Sequence, residues 1–504
     1  MGPSFAAGHR VRGERPTSEP SRVDRVDVLV VGGGIAGLAA ARALKQHGVA
    51  SVKILELEAT VGGNSRFGEN HVTRFPLGAH YVPIINHEVE PLRELFSDLG
   101  VITEFDARGL PTYDEFFLCA DPVERLFMYG RWHESLHPTY GQSSDDAAQA
   151  KKFRGLVQSM KLARGRDGRR AFAMPIDQSS EDPAFRGLDR VSMADYLAAN
   201  GLTSARLRWY VDYCCRDDYG ADSGKVSAWA GLYYYASRSG QAVNASPESL
   251  LTWPEGNGWL VERLAAGLTV ETKSLVLEIA DRENGARVDY VDLRTEEHCR
   301  TEALYVVCAL PQLVAGRVVR SRDNGMPRAA TTIDYVPWVV TNLTLSVPPT
   351  TKVESALAWD NVSYHSKSLG YVVANHQSLK TNRKETVITH YQPMDTLEPR
   401  IARQITHTLS HFDWQTLVLA DLEGMHPGIT ASVENLDVWI WGHGMVLPKP
   451  GSIWGGDRTR SASPVGNIHF AHSDTSGVSV FEEAFLQGAE VGKRVATLAK
   501  QGST

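Results

Sequence analysis

Asp27–Val31 reads D-V-L-V-V and runs directly into Gly32-Gly33-Gly34-Ile35-Ala36-Gly37. A short apolar run of this kind predicts a buried parallel strand. Leu38 to His47 follows as a helix rich in alanine and leucine, and Ser51 to Leu57 as a second strand. A strand–turn–helix–strand unit of about thirty residues is the setting in which a glycine-rich turn acquires meaning. Gly32, Gly34 and Gly37 then have separate duties in G-x-G-x-x-G: a tight turn, a close backbone approach to a pyrophosphate, and close helix–strand packing. The helix N-terminus, with Ile35 and Ala36 among the binding residues, offers free N–H groups and partial positive charge to the phosphates.

Two further features point to a dinucleotide. Glu56 interrupts the apolar run of the second strand, nineteen residues past Gly37, where a carboxylate accepts hydrogen bonds from ribose hydroxyls. An acid at this position disfavours a 2′-phosphate. Gly62-Gly63, followed by Asn64, allows a second close backbone approach. A solvated glutamate and an unliganded turn are the alternatives, and both explain the combination less well.

A chain of 504 residues suits one large or two medium domains. The formal net charge of −7 argues against a general nucleic-acid binder, which needs a basic face. Cys119, Cys214, Cys215, Cys299 and Cys308 are odd in number and form no C-x-x-C pair, so neither a disulfide framework nor a zinc site is expected. No apolar run reaches the roughly 18 residues of a membrane span. Residues 1–24 form a polar arm, expected to be disordered, with Arg10, Arg12, Arg15 and Arg22 but no apolar signal core. The expected compartment is the cytoplasm, with reduced thiols.

A helix is expected over 88–100 and strands over 270–279, 287–293, 303–309 and 468–471. Residues 336–347 read as a strand of a second sheet, and Val480 to Leu498 as a helix. Between about 105 and 255 aromatic and charged residues mix, which suggests a substrate-binding region.

Leu55–Arg66 (L-E-L-E-A-T-V-G-G-N-S-R) resembles the second signature of the flavin amine oxidase superfamily. That group spans monoamine, polyamine and L-amino-acid oxidases and, more distantly, carotenoid desaturases and protoporphyrinogen oxidase. Pro76-Leu77-Gly78-Ala79-His80-Tyr81 is similar to the segment that passes under the isoalloxazine ring in those enzymes. Residues 467–475 (N-I-H-F-A-H-S-D-T) resemble the family's last FAD strand, and the helix beginning near Val480 and Phe481 resembles the one whose N-terminus faces the flavin pyrimidine. Residues 254–260 and 305–311 are similar to further family segments, and Val276 resembles the apolar residue packed near the adenine. The resemblance implies an α/β fold: a Rossmann-like FAD-binding domain interleaved with an α+β substrate-binding domain. Its expected spans are 25–105, 256–335 and 452–504 for FAD, and 106–255 and 336–451 for substrate. It also implies flavin contacts from Gly78, Ala79, His80, Tyr81, His472, Ser473, Asp474, Val480 and Phe481. A helix N-terminus at the pyrimidine edge stabilises the negative charge of reduced flavin.

Several residues depart from the family pattern. Many relatives attach FAD through a cysteine before the final helix, whereas Ser473 to Phe481 contains none, so non-covalent FAD is expected. The family's strand lysine has Thr341 and Asn342 at about its place, which opens the choice between oxygen and another electron acceptor. His472 replaces a family glycine. Trp439, Trp441 and His443, with Gly442 and Gly444 between and beyond them, fall where relatives place an aromatic active-site wall, and an aromatic core strand is the alternative. Asp217 and Asp218 read first as a turn or helix cap and second as an amine-attracting pair. Trp229, Tyr233, Tyr234 and Tyr235 read first as core and second as pocket lining.

The expected enzyme is an FAD-dependent oxidoreductase that removes two electrons, formally a hydride, from a small organic molecule, with an amine favoured. Desaturation or oxidation of a larger apolar molecule, and a non-catalytic binding protein, are the alternatives. The sequence names neither the electron acceptor nor the oligomeric state.

Overall fold

The structure, a computed structural model, describes residues 2–13, 18–322, 333–349, 356–379 and 384–501. The expected strand at 27–31 starts earlier, at Arg22, and runs to Val31. Its polar half is held at the sheet by charge: Lys53 Nζ lies 2.8 Å from Asp24, and Arg22 and Lys53 both pair with Glu271. The helix Ile35–Gln46 and strand Val52–Leu55 complete the unit.

The chain divides into two compact bodies. One comprises Pro3–Arg66, Trp259–Ile333 and Gly455–Thr504. Among its described residues is an eight-stranded sheet in which Arg22–Val31 lies parallel between Val52–Leu55 and Glu297–Cys308. Ile468–Phe470 adds parallel to Val306–Cys308. The expected strand over 270–279 is two strands. Val270–Glu271 pairs with Ile54–Leu55, Lys273 turns at φ +57°, and Ser274–Arg282 joins Gly285–Asp292 elsewhere in the sheet.

The C-terminal helix Phe481–Gln501 packs on the alanine-rich helix Ile35–Gln46. Glycines one turn apart allow it: a Cβ on Gly488 would lie 2.1 Å from the Ala36 carbonyl oxygen, and one on Gly492 2.5 Å from that of Ala40. The described start of the arm is ordered, contrary to the expectation. Phe5–His9 forms a helical turn, because Ser4 bonds Glu58 through its backbone N at 2.7 Å and its hydroxyl at 3.0 Å, and Arg10 pairs with Glu296 at 2.7 Å. Arg15 lies outside the described residues.

The other body comprises Met1–Gly2, Phe67–Gly258 and Asp334–Trp454. Residues 67–105, assigned from sequence to the FAD domain, belong here, because Tyr81–Pro83 pairs with Leu250–Thr252. Its sheet has seven strands among the described residues, with Tyr335–Leu345 between Val433–Val446 and Thr386–Pro393. One face, with Val339, Leu343, Val438 and Ile440, packs on Trp414, Val418 and Leu422 of helix His411–Met425. The opposite face carries Trp338, Val340, Tyr391 and Trp441 against Tyr213 and Cys214 of helix Ala205–Tyr219.

Replacing Gly488 by valine drives a branched side chain into backbone that has no free end to move. Overpacking of this kind costs about 3 kcal/mol, so G488V should unfold at clearly lower denaturant than the parent in an equilibrium titration.

Candidate active site

In the first body the glycine turn is closed to side chains at Gly32 and Gly37. Gly32 sits at φ +105°, and a Cβ there would meet the Ala309 carbonyl oxygen at 2.8 Å. A Cβ on Gly37 would lie 1.9 Å from the Gly32 carbonyl oxygen. A Cβ on Gly34 would find only the Cα of Gly63, at 3.9 Å, so the space over this glycine is open. Gly62, at φ +121°, donates its N–H to Gly33 at 2.8 Å and so places the second glycine pair against the first turn.

The Glu56 carboxylate lies half-buried beneath this turn. Oε2 accepts the Gly33 N–H at 2.7 Å, and Oε1 accepts the Glu58 N–H at 2.9 Å. Burial raises its pKa, and those two bonds and Arg66 oppose the rise. Arg66 in turn lies 3.2 Å from Glu58. Asn64 stands exposed on the short turn Gly63–Ser65. Bare glycine backbone, a helix N-terminus and a half-buried carboxylate are the donor and acceptor set that a dinucleotide needs.

Strands Arg22–Val31 and Ile468–Phe470 flank the strand Glu297–Cys308 on its two sides. Ala309 donates its N–H to Val31, and Ala471 to Cys308, which aligns the ends of three parallel strands. Ligands bind at the carboxyl ends of such strands. Asp474 Oδ2 accepts the Gln312 N–H at 2.8 Å, and His472 Nδ1 lies 2.8 Å from Asp474 Oδ1. Ser473 and Asp474 are buried in the turn that precedes the last helix. That helix begins at Phe481, directly after Val480, with Phe481 stacked on Phe485. Glu482 and Glu483, both buried, occupy its first turn, a feature the sequence reading missed. Val276 lies in the core with Val31 and Leu55.

In the second body, residues 76–81 are clasped by the seven-stranded sheet. Asn342 donates to the Pro76 carbonyl at 3.2 Å and accepts from the Thr389 hydroxyl at 2.7 Å. Trp441 Nε1 donates to the Leu77 carbonyl at 2.6 Å, and the Tyr391 hydroxyl to Gly78 at 3.0 Å. Ala79 accepts from Asn257 at 3.0 Å. His80 stacks on Tyr391 with ring centroids 4.4 Å apart, and burial lowers its pKa to about 4, so it is neutral at neutral pH. Trp439 lies 5.9 Å from Trp441.

His443 lies two residues beyond Trp441 on the same strand and packs edge-on against Tyr335. The glycines beside it serve the protein's own side chains: a Cβ on Gly442 would meet His407 at 2.9 Å, and one on Gly444 would meet Trp338 at 2.8 Å.

Asp217 and Asp218 are not a cap. They occupy the last turn of helix Ala205–Tyr219, which Gly220 ends in a left-handed conformation. Carboxylates oppose the helix dipole there. Asp218 is neutralised by Arg238 at 2.9 Å. Asp217 accepts instead from the Tyr81 hydroxyl at 2.7 Å, and burial followed by the neighbouring Asp218 pushes its pKa well above the carboxylate range. One turn earlier, Tyr213 donates to Asp360 at 3.0 Å. Asp360 is raised by burial, then by Glu124 and Asp217. Glu124 is raised by burial and lies opposite Asp360 in the parallel register. The sequence reading missed both: D-N-V-S and E-R-L-F-M look like ordinary half-exposed strands. Of the aromatic group, Trp229 is core, stacked on Tyr233, while Tyr234 lies near Asp217 and Cys214.

Residues 35–496 match the family model of flavin-containing amine oxidoreductases. The protein is therefore a flavin-dependent oxidoreductase that uses FAD and acts on small molecules. The chain belongs to the flavin-containing amine oxidoreductase family. A double mutant of putrescine oxidase has the same fold, with a TM-score of 0.69 at 18% identity over 94% of this chain and 100% of that one. Cyclohexylamine oxidase from Brevibacterium oxydans IH-35A gives 0.66 at 18% over 94% and 99%. A CLA-producing fatty acid isomerase from P. acnes gives 0.63 at 16% over 93% and 98%. A Baeyer-Villiger monooxygenase of Streptomyces coelicolor is 39% identical over 83 residues, only 16% of this chain and 14% of that protein. Among the described residues no helix is long and apolar enough to cross a membrane.

Two predictions concern Glu56 and Asp217. Glu56→Ala leaves the Gly33 and Glu58 N–H groups without their acceptor and so loosens the glycine turn, and the variant should purify with less bound flavin, measured by the ratio of visible to ultraviolet absorbance. Asp217 has a raised folded pKa, so its contribution to stability is full in acid and lost as pH rises towards neutrality. D217N should therefore gain melting temperature over the parent between about pH 5 and pH 8, with little difference near pH 4.

Proposed function

We propose that the protein oxidises a small amine, removing a hydride from the carbon beside nitrogen. The observation that carries this reading is Asp217, a buried carboxylate whose hydrogen-bond partner is the phenol of Tyr81. Burying such a charge is costly unless it is paired, and an ammonium group supplies the pairing. Aromatic rings nearby add favourable surface for a cation, with His80 5.5 Å from Trp359 and 4.4 Å from Tyr391 between ring centroids.

Gly32, Gly34, Gly37, Glu56, Gly62, Gly63, His472 and Asp474 hold the dinucleotide in this reading. Bound FAD supplies a two-electron acceptor. Asn342 and Trp441 act as positioning residues, since their polar atoms fix the carbonyls of Pro76 and Leu77. Trp439 contributes apolar wall. FAD is held without a covalent bond, a reading supported by the lack of cysteine in 473–481. No side-chain base is required: catalysis rests on orientation and on exclusion of water.

Acid precipitation should leave all of the flavin in the supernatant. Anaerobic titration with primary amines should bleach the flavin band. Bleaching by an apolar alkene or porphyrinogen but by no amine would transfer the protein to the desaturase-like branch.

A further inference from the structure

The hairpin that leads into residues 76–81 carries an imidazole that the proposed reaction does not use. Its strands, Phe67–Glu69 and Arg74–Pro76, are joined by a turn in which Asn70 Oδ1 accepts the N–H groups of Val72 at 2.9 Å and Thr73 at 3.2 Å. Asn70 Nδ2 donates to the Thr344 hydroxyl at 2.9 Å, and Val72 and Phe75 share an apolar cluster with Val387 and Trp439. These contacts seat the turn, with His71 exposed in it, on the seven-stranded sheet.

Two carboxylates reach His71 from the strands on either side of Tyr335–Leu345. Glu385 directly precedes Thr386–Pro393, and its carbonyl accepts from Asn375 Nδ2 at 3.3 Å. Glu434 belongs to Val433–Val446, where Thr344 faces Asn435 and Leu345 faces Val433. Glu434 is thus the extra residue of a β-bulge, a device that re-aims a side chain. His71 Nε2 lies 3.2 Å from Glu385 Oε1, and one ligand atom from each of His71, Glu385 and Glu434 falls within 4.8 Å of the others. An imidazole–carboxylate pair accounts for the first two residues alone. Glu434 adds a second negative charge, and among the described residues no lysine or arginine pairs with either glutamate.

We propose that His71, Glu385 and Glu434 form a surface site for a zinc-class divalent cation. The imidazole selects zinc and its transition-metal neighbours over magnesium and calcium, and the two carboxylates complete three protein ligands, with water in the remaining position. Ligand atoms about 2.1 Å from zinc lie roughly 3.4 Å apart in a tetrahedral shell, so the side chains must close by about 1 Å. His71 and Glu385, with side chains 64% and 40% exposed, have the freedom to do so. The cation ties the turn to two strands and stiffens the hairpin from which residues 76–81 depart. This site is independent of the substrate that the flavin oxidises.

The test uses purified holoenzyme, stripped of metal with a chelator and titrated with zinc chloride in a calorimeter. One equivalent should bind in the micromolar range, and at tenfold excess over the dissociation constant the melting temperature should rise by about 3 °C. Magnesium chloride should do neither. H71A and E434Q, both at exposed positions, should keep the parent's flavin spectrum and metal-free melting temperature. Each should weaken zinc binding by about tenfold or more, since even the outer partners of metal ligands are worth that much. Absence of binding, equal binding of magnesium, or zinc binding that survives either substitution unweakened overturns the site.

Discussion

The first body depends on a contact that only glycine permits. The Gly32 carbonyl faces Gly37 so closely that a methyl group would overlap it, and this contact fixes where the helix leaves the strand. From that angle follow the direction of the helix N-terminus, the position of Glu56 beneath the turn, and the face that the alanine-rich helix presents to the C-terminal helix. Gly488 and Gly492 repeat the same logic at the outer layer, where small residues let one backbone rest on another.

The second body is governed by a different constraint, the desolvation of charge. Its sheet buries ordinary apolar side chains on the face toward helix His411–Met425. On the other face acids and aromatic rings replace them, and the carbonyls of Pro76, Leu77 and Gly78 are each tied to a named side chain. A segment held at three successive carbonyls has little freedom.

What could be read from the sequence follows the same division. The strand, turn, helix and second strand around Gly32–Gly37 were legible because local backbone geometry demands those glycines. The segment at 467–475 was legible through resemblance, and its strand lies across the strand ending at Cys308 from Arg22–Val31. Asp217 was visible but read mainly as a cap, because its partner Tyr81 lies on a distant segment. Glu124 and Asp360 gave no signal, since a carboxylate in a strand looks like one facing water until the opposing helix is known.

The parallel register sets Val31 beside Cys308, residues that belong to opposite ends of a long stretch of chain. A strand without its neighbour is exposed, hydrophobic and ready to pair with the wrong partner. At ribosomal rates of about 5–20 residues per second, the N-terminal strand spends on the order of ten seconds or more outside the exit tunnel before its mate is made. Pairing on this side of the first strand therefore waits until the residues up to Cys308 have been made, and the strand alignment beneath the glycine turn is completed late in synthesis.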